Sequence, residues 1–86
     1  MATAQGSDSL QAAYFRGELA DQRAIIAAHI AGQHRKLQAM AVAGANPLAV
    51  TRLRRQLREN ENEIRQLDRM IGAIDLRFSA SRVIQA

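Results

Sequence analysis

The sequence contains no cysteine, no tryptophan and a single proline, and its aromatic residues are limited to Tyr14, Phe15 and Phe78. The absence of cysteine excludes a disulfide framework, a thiolate metal site and a cysteine nucleophile. Because aromatic residues, valine and threonine are scarce, the 48% of hydrophobic residues must pack mainly as Ile, Leu and Ala, which favours helices over sheets. At 86 residues, the chain is long enough for one domain.

Long apolar runs are also missing from the sequence. The most apolar run, residues 24–31, is interrupted by His29. Residues 1–10 lack both the basic and the apolar segment of a signal peptide. We therefore expect no membrane span and a cytoplasmic location.

No group of residues has the spacing that catalysis or metal binding requires. His29 and His34 are five residues apart, so they point to different sides of a helix. Glu59 and Glu63 share a helix face, but the Glu-x-x-His pairs of di-iron bundles are missing. A glycine-rich phosphate loop and a Gly-x-Ser-x-Gly nucleophile elbow are absent as well. The sequence thus predicts a protein that is not an enzyme and that holds no cofactor or metal.

The strongest local signal lies between residues 43 and 47. Gly44 suits the left-handed position that ends a helix, Asn46 is a good N-cap, and Pro47 suits the first helical position. A connection this short folds the second helix back on the first. The sequence therefore predicts an all-α fold, an antiparallel αα-hairpin. Its predicted segments are an N-terminal tail over 1–7, a helix over 8–43 capped by Asp8, a turn over 44–46, a helix over 47–78 and a C-terminal tail over 79–86.

The second helix repeats every seven residues. Alternate spacings of three and four, typical of a coiled-coil seam, connect Val50, Leu53, Leu57, Asn60, Ile64, Leu67, Ile71, Ile74 and Phe78. In the first helix the apolar residues recur every eleven residues instead, as at Phe15, Ile26 and Leu37. An eleven-residue period predicts a first helix that is straight or slightly right-handed.

The position of the turn predicts which residues of the two helices face each other. In an antiparallel hairpin, the numbers of facing residues have a constant sum that is set by the centre of the turn. For a turn centred near residues 45 and 46, this sum is about 91. This rule brings together two pairs of opposite charge, Arg16 with Asp75 and Arg23 with Asp68. Pairs at the edges of a seam set its register. Asn60 falls near Gln33, so either the two side chains form a hydrogen bond or Asn60 faces water at the edge.

The first helix carries more apolar surface than one partner helix can cover. Besides the apolar residues that face the second helix, it carries a column of small residues, with Ile25 and Ala28 beside this column. The candidate partner interface consists of Ala20, Ala24, Ile25, Ala27, Ala28 and Ala31. Exposed contiguous apolar surface on a small protein usually marks a partner site. We therefore expect a homodimeric four-helix bundle or docking on a larger helical partner. The alternative is that alanine only raises helix propensity.

The basic residues are unevenly distributed along the chain. Residues 29–58 contain no acid and carry a charge of +6, so the rest of the chain carries −2 within a net charge of +4. All basic residues except Lys36 are arginine, which is suited to bidentate recognition of phosphate or carboxylate. The candidate anion or nucleic-acid site consists of Arg52, Arg54, Arg55, Arg58, Arg65 and Arg69. An ordinary solvated helix face is the alternative for these residues.

Two functions are consistent with these patterns. The leading hypothesis is a small α-helical interaction or assembly module, acting as an adaptor, chaperone-like protein or structural subunit, which binds itself or a larger helical protein through the first helix. The alternative is a dimeric nucleic-acid-binding hairpin that uses its arginine-rich face. No aromatic side chain lies between residues 16 and 77 to stack on bases.

Overall fold

The protein is a rod made of two long helices. The computed structural model describes the backbone of residues 2–85 and the side chains of residues 8–78. Helix α1 spans Ala2–Ala43 and helix α2 spans Pro47–Gln85. The two helices pack against each other in a molecule that measures 64 × 18 × 15 Å. Within the described backbone there is no strand, which confirms the prediction of an all-α antiparallel hairpin.

The outer ends of both helices differ from the predicted bounds. Helix α1 begins at Ala2 rather than at Asp8, and α2 ends at Gln85 rather than at Phe78. Asp8 and the serines after Phe78 were interpreted as helix ends, but no proline lies in either segment to interrupt the backbone ladder. The side chains of the predicted tails lie outside the described residues, and the mobility of these tails stays a prediction.

Helix α1 ends as its sequence predicts. Gly44 has a positive φ of 67°, the left-handed conformation that glycine adopts at little cost. The backbone N–H of Ala45 donates to the carbonyl oxygen of Met40 at 3.0 Å. This hydrogen bond is characteristic of the Schellman motif and satisfies one of the last carbonyls of the helix.

Helix α2 begins with the predicted cap. The side-chain oxygen of Asn46 accepts a hydrogen bond from the backbone N–H of Leu48 at 2.8 Å. The backbone oxygen of Asn46 accepts the first helical hydrogen bond, from Val50, at 3.2 Å. Pro47 occupies the first helical position, where its missing N–H is not needed.

The contact between the helices uses the seven-residue repeat of α2. Its buried residues are Leu53, Leu57 and Leu67, and the other seam residues between Val50 and Phe78 are half-buried. On α1, Leu19 is the buried hydrophobic residue of the described part, and Gln33 is the buried polar one. The core is therefore a single narrow seam.

The prediction of an eleven-residue period in α1 is wrong. Apart from Ala20, Ala27 and Gly32, which are half-buried beside the seam, the less exposed residues of α1 from Ala12 to Met40 alternate spacings of four and three: Ala12, Arg16, Leu19, Arg23, Ile26, Ile30, Gln33, Leu37 and Met40. Phe15, which the eleven-residue pattern placed in the seam, is 50% exposed. A helix paired with a seven-residue repeat stays in contact along its length only if it follows the same repeat.

Two ion pairs confirm the predicted register. Arg16 donates to Asp75 through Nε at 2.5 Å and through Nη2 at 2.9 Å. Arg23 donates to Asp68 through Nε, and through Nη2 at 3.3 Å. Each pair is a two-bond fork between guanidinium and carboxylate, a geometry that adds directional specificity to the attraction of the charges. Both forks lie along the same edge of the seam.

The polar position of the seam is also paired. The Nδ2 of Asn60 donates to the Oε1 of Gln33 at 3.1 Å, and Gln33 is only 6% exposed. Of the two alternatives left open by the sequence, the structure therefore has the hydrogen bond and not an Asn60 turned to water. In the described part of the chain, no buried side-chain nitrogen or oxygen lacks a partner.

Candidate functional site

One flank of α1, beside the seam with α2, carries a continuous row of small side chains. We call this row the alanine face; it consists of Ala13, Gly17, Ala20, Ala24, Ala27 and Ala31. Spacings of four and three residues place the row on one side of the helix. Ala24 and Ala31 are exposed, whereas Ala20 and Ala27 are half-buried at the edge nearer α2. A Cβ added at Gly17 would meet nothing within 4 Å, so this end of the row is open.

The remaining two residues of the predicted partner interface lie beside the row. Ala28 is exposed next to the alanine face. Ile25 is 70% exposed but lies toward the opposite edge of α1, where it lines an open groove with Gln22 and with Glu63 of α2. The structure therefore brings the alanines together on one surface and separates Ile25 from them.

The alanine face has a charged border on one side. Arg16 and Arg23 extend from α1 between this face and α2, where their carboxylate partners hold them. Hydrogen bonds from Arg23 lower the pKa of Asp68, and the same contact raises the pKa of Arg23. The hydrogen bond to Asp75 likewise raises the pKa of Arg16. The face thus combines an uncharged centre with an ordered polar edge, which is the usual anatomy of a protein interface.

The outer side of α2 is strongly polar. The arginines of the candidate anion site are all exposed: Arg52, Arg54, Arg55, Arg58, Arg65 and Arg69. Arg65 donates to the Oδ1 of Asn62 at 2.5 Å. Within the described residues, the side chains of the other five arginines form no hydrogen bond or salt bridge.

These arginines do not form one patch. Four of them, from Arg52 to Arg58, lie in the first turns of α2 next to the turn. Arg65 and Arg69 lie farther along the same helix, beyond Glu59 and Glu63. Arg52 and Arg69 are about 25 Å apart along the helix axis at 1.5 Å per residue.

Sequence reasoning missed the exposed apolar residues at the turn. Val42 is 91% exposed and Leu48 is 58% exposed. Both lie outside the seam, whose last inward positions before and after the turn are Met40 and Val50. The sequence did contain a signal for their exposure, since neither residue falls at a heptad position. An apolar residue outside the seam and next to the turn has no helix to pack against in a two-helix hairpin.

Two further classes of site have no support in the described part of the chain. No group of three His, Asp or Glu side chains there could hold a metal ion. Neither described helix contains a stretch long and apolar enough to cross a bilayer. Comparisons with protein families, curated proteins and solved structures found no match for this chain.

Proposed function

We propose that the protein is an assembly module that dimerises through the alanine face of α1 and so completes a four-helix bundle. The observation that carries this proposal is the row of small side chains along one flank of α1, of which Ala13, Gly17, Ala24 and Ala31 are exposed. Small residues let a second helix approach closely and make many van der Waals contacts. An antiparallel hairpin with a single narrow seam also has little core of its own, and small scaffolds commonly gain stability by oligomerisation.

A second copy of the chain fits this surface in one orientation. The alanine face is centred near residue 22, which is also the middle of α1. A two-fold axis at that point runs the second α1 antiparallel and places small residues against small residues. The facing positions are Ala13 with Ala31, Gly17 with Ala27, and Ala20 with Ala24. The two hairpins then overlap along the full length of α1.

The charge distribution supports the same orientation. Residues 29–58, next to the turn, carry +6, and the remainder of the chain carries −2. In the antiparallel dimer, the basic half of each hairpin lies beside the acidic half of the other. A parallel dimer would place the two basic halves side by side, and such like-charge juxtaposition is unfavourable.

Sedimentation equilibrium of the purified protein tests the proposal. We expect the wild-type chain to sediment at twice the mass of one chain. The variant Ala24→Glu should sediment as a single chain, because the two-fold axis would bury two unpaired carboxylates close together. The matched control is Ala73→Glu, which adds the same charge at an exposed alanine of α2 and should leave the dimer intact.

Two results would contradict the proposal. One is a wild-type chain that remains monomeric at micromolar concentration and above, which would leave a larger helical protein as the occupant of the alanine face. The other is dissociation of the dimer by Ala73→Glu but not by Ala24→Glu. Circular dichroism of each variant shows that the helices are intact and separates loss of association from loss of folding.

A further inference from the structure

We propose that the closed end of the hairpin docks on the surface of an anionic lipid bilayer. The closed end is defined here as residues 36–55, the turn with the last turns of α1 and the first turns of α2. It combines exposed aliphatic side chains at the extreme tip with unpaired cations immediately behind them. The proposal does not depend on the dimer proposed above.

The tip itself is apolar and uncharged. No charged residue lies between Lys36 and Arg52. Within that stretch Val42 and Leu48 are the large exposed hydrophobic residues, and they flank the turn on its two sides. The described backbone of residues 2–85 consists of the two helices and the turn, so it holds no further element that covers these two side chains. Two aliphatic side chains at the end of a narrow rod can enter the boundary between lipid headgroups and acyl chains. Typical interfacial binding buries apolar side chains to a depth of about 5–10 Å.

The cations lie at the depth that such insertion requires. Measured along the helix axes at 1.5 Å per residue, Arg52 is about 8 Å and Arg55 about 12 Å from Pro47. Lys36 is about 10 Å from Ala43, the last residue of α1. Long Arg and Lys side chains can extend along an apolar surface to reach a polar layer. With the tip inserted, these cations lie among or just above the lipid phosphates.

The closed end itself contains no carboxylate. The acids nearest to the turn in the sequence are Asp21 on α1 and Glu59 on α2. Glu59 lies about 6 Å from Arg55 but about 18 Å from Pro47 along the axis of α2, so it remains above the headgroups when the tip is inserted. The closed end therefore attracts anionic headgroups, and each cation near such a surface adds to the affinity.

The apolar tip favours a lipid surface over a nucleic acid. A phosphate backbone offers nothing for exposed aliphatic side chains to contact, whereas a bilayer accepts both the aliphatic tip and the cations. Base stacking would need aromatic side chains, and Phe15 and Phe78 lie toward the other end of the rod. A nucleic acid that binds the cations alone is therefore one outcome that the test must separate.

Vesicle flotation is the direct test. We expect the protein to float with phosphatidylcholine vesicles that contain phosphatidylserine and not with pure phosphatidylcholine vesicles. Leu48→Ser should weaken binding by about tenfold, since burial of a leucine side chain is worth at least that factor. The matched control is Leu76→Ser, at a leucine near the other end of α2 that is 76% exposed against 58% for Leu48, and it should bind as wild type does.

A second pair of variants tests the cations. The double variant Arg52→Gln and Arg55→Gln should bind about 25-fold more weakly, at about fivefold per cation. The matched control, Arg65→Gln with Arg69→Gln, removes two exposed arginines of the same helix far from the tip. It should retain most of the binding.

Tryptophan fluorescence locates the inserted end. The chain has no tryptophan, so Leu48→Trp and Leu76→Trp each introduce a single reporter. Emission should shift to shorter wavelength with anionic vesicles at position 48 and stay unchanged at position 76. The proposal is overturned by binding that is independent of phosphatidylserine. It is also overturned if Leu48→Ser binds vesicles as wild type does, only the arginine variants lose affinity, and an oligonucleotide displaces the protein from the vesicles. Those results together are expected of a nucleic-acid site.

Discussion

At the scale of single residues, the hydrogen bond between Asn60 and Gln33 is the feature that specifies the pairing most strictly. It is a polar contact inside an otherwise apolar seam, and Gln33 is buried. A slip of one helix along the other would place Gln33 against an apolar side chain and leave its amide without a partner. A single polar residue in a seam commonly fixes register in this way, at a cost in stability.

Asn60→Leu should therefore destabilise the protein. The change leaves the amide of Gln33 buried without its partner, and we expect the free energy of unfolding in urea to fall by about 1–3 kcal/mol. The double variant Gln33→Leu with Asn60→Leu removes both polar groups and should recover most of this loss. Asn62→Leu, at an exposed position of the same helix, should change stability by less than about 0.5 kcal/mol. Equal losses in the single and double variants would contradict the prediction.

The fork between Arg23 and Asp68 makes stability depend on pH. Because hydrogen bonds from Arg23 lower the pKa of Asp68 in the folded state, the unfolded chain binds more protons in acid. The contribution is fully present above the ordinary carboxyl pKa, near pH 4, and is lost as the pH falls through the lower folded value. Urea unfolding at neutral pH should show wild type more stable than Asp68→Asn, and the difference should shrink below about pH 4. A difference that does not change with pH would contradict this account.

At the scale of elements, the sequence predicts the turn and α2 well because their signals are local. Gly44, Asn46 and Pro47 each favour one position at a helix end, whatever the rest of the chain does. The inward face of α1 could not be read in this way. Its seam includes Arg16 and Arg23, whose aliphatic stems lie at the edge while their charges reach α2. A hydrophobic pattern counts such residues as solvent-facing, so the eleven-residue pattern was inferred from the residues that remained.

The outer ends of the helices were mispredicted for a related reason. Asp8 can cap a helix, but an N-cap residue does not prevent the helix from starting earlier, since only proline or a residue forced into another conformation interrupts the ladder. The backbone runs helically from Ala2 through Asp8. At the other end, α2 passes through its serines to Gln85. Signals for helix ends are therefore decisive at the turn, where several coincide, and weak elsewhere.

Replacing Gly44 by alanine tests the helix end. A Cβ there would meet no atom within 4 Å, so the expected cost arises from the positive φ alone. We expect a loss of about 1–2 kcal/mol in the free energy of unfolding. Gly72→Ala is the matched control, because a Cβ at Gly72 also meets nothing but the residue lies inside α2. There alanine should add about 0.5–1 kcal/mol. The free energies of unfolding are compared at one protein concentration. Changes of the same sign in the two variants would contradict the assignment of Gly44 as the left-handed residue that ends α1.

At the scale of the whole molecule, the hairpin presents two separate surfaces. The alanine face occupies the middle of α1, and the basic, apolar-tipped closed end lies at one end of the rod. The sequence alone predicted which small residues share a face, because helical spacing determines this. It did not separate Ile25 from them, nor join Val42 and Leu48 into one tip, because both relations depend on how the chain folds back at the turn.

The central claim is that two hairpins associate antiparallel through the alanine face, and a cysteine cross-link tests it most directly. The chain has no cysteine, so Ala13→Cys and Ala31→Cys each introduce one thiol at an exposed position of the face. Facing positions in a close helix pair lie within disulfide reach. When the two variants are mixed and gently oxidised, we expect a dimer that contains one chain of each kind, while either variant alone should stay largely uncross-linked. Efficient cross-linking of Ala13→Cys with itself would show a parallel pair, and the absence of any cross-link would show that the alanine face does not bind a second copy.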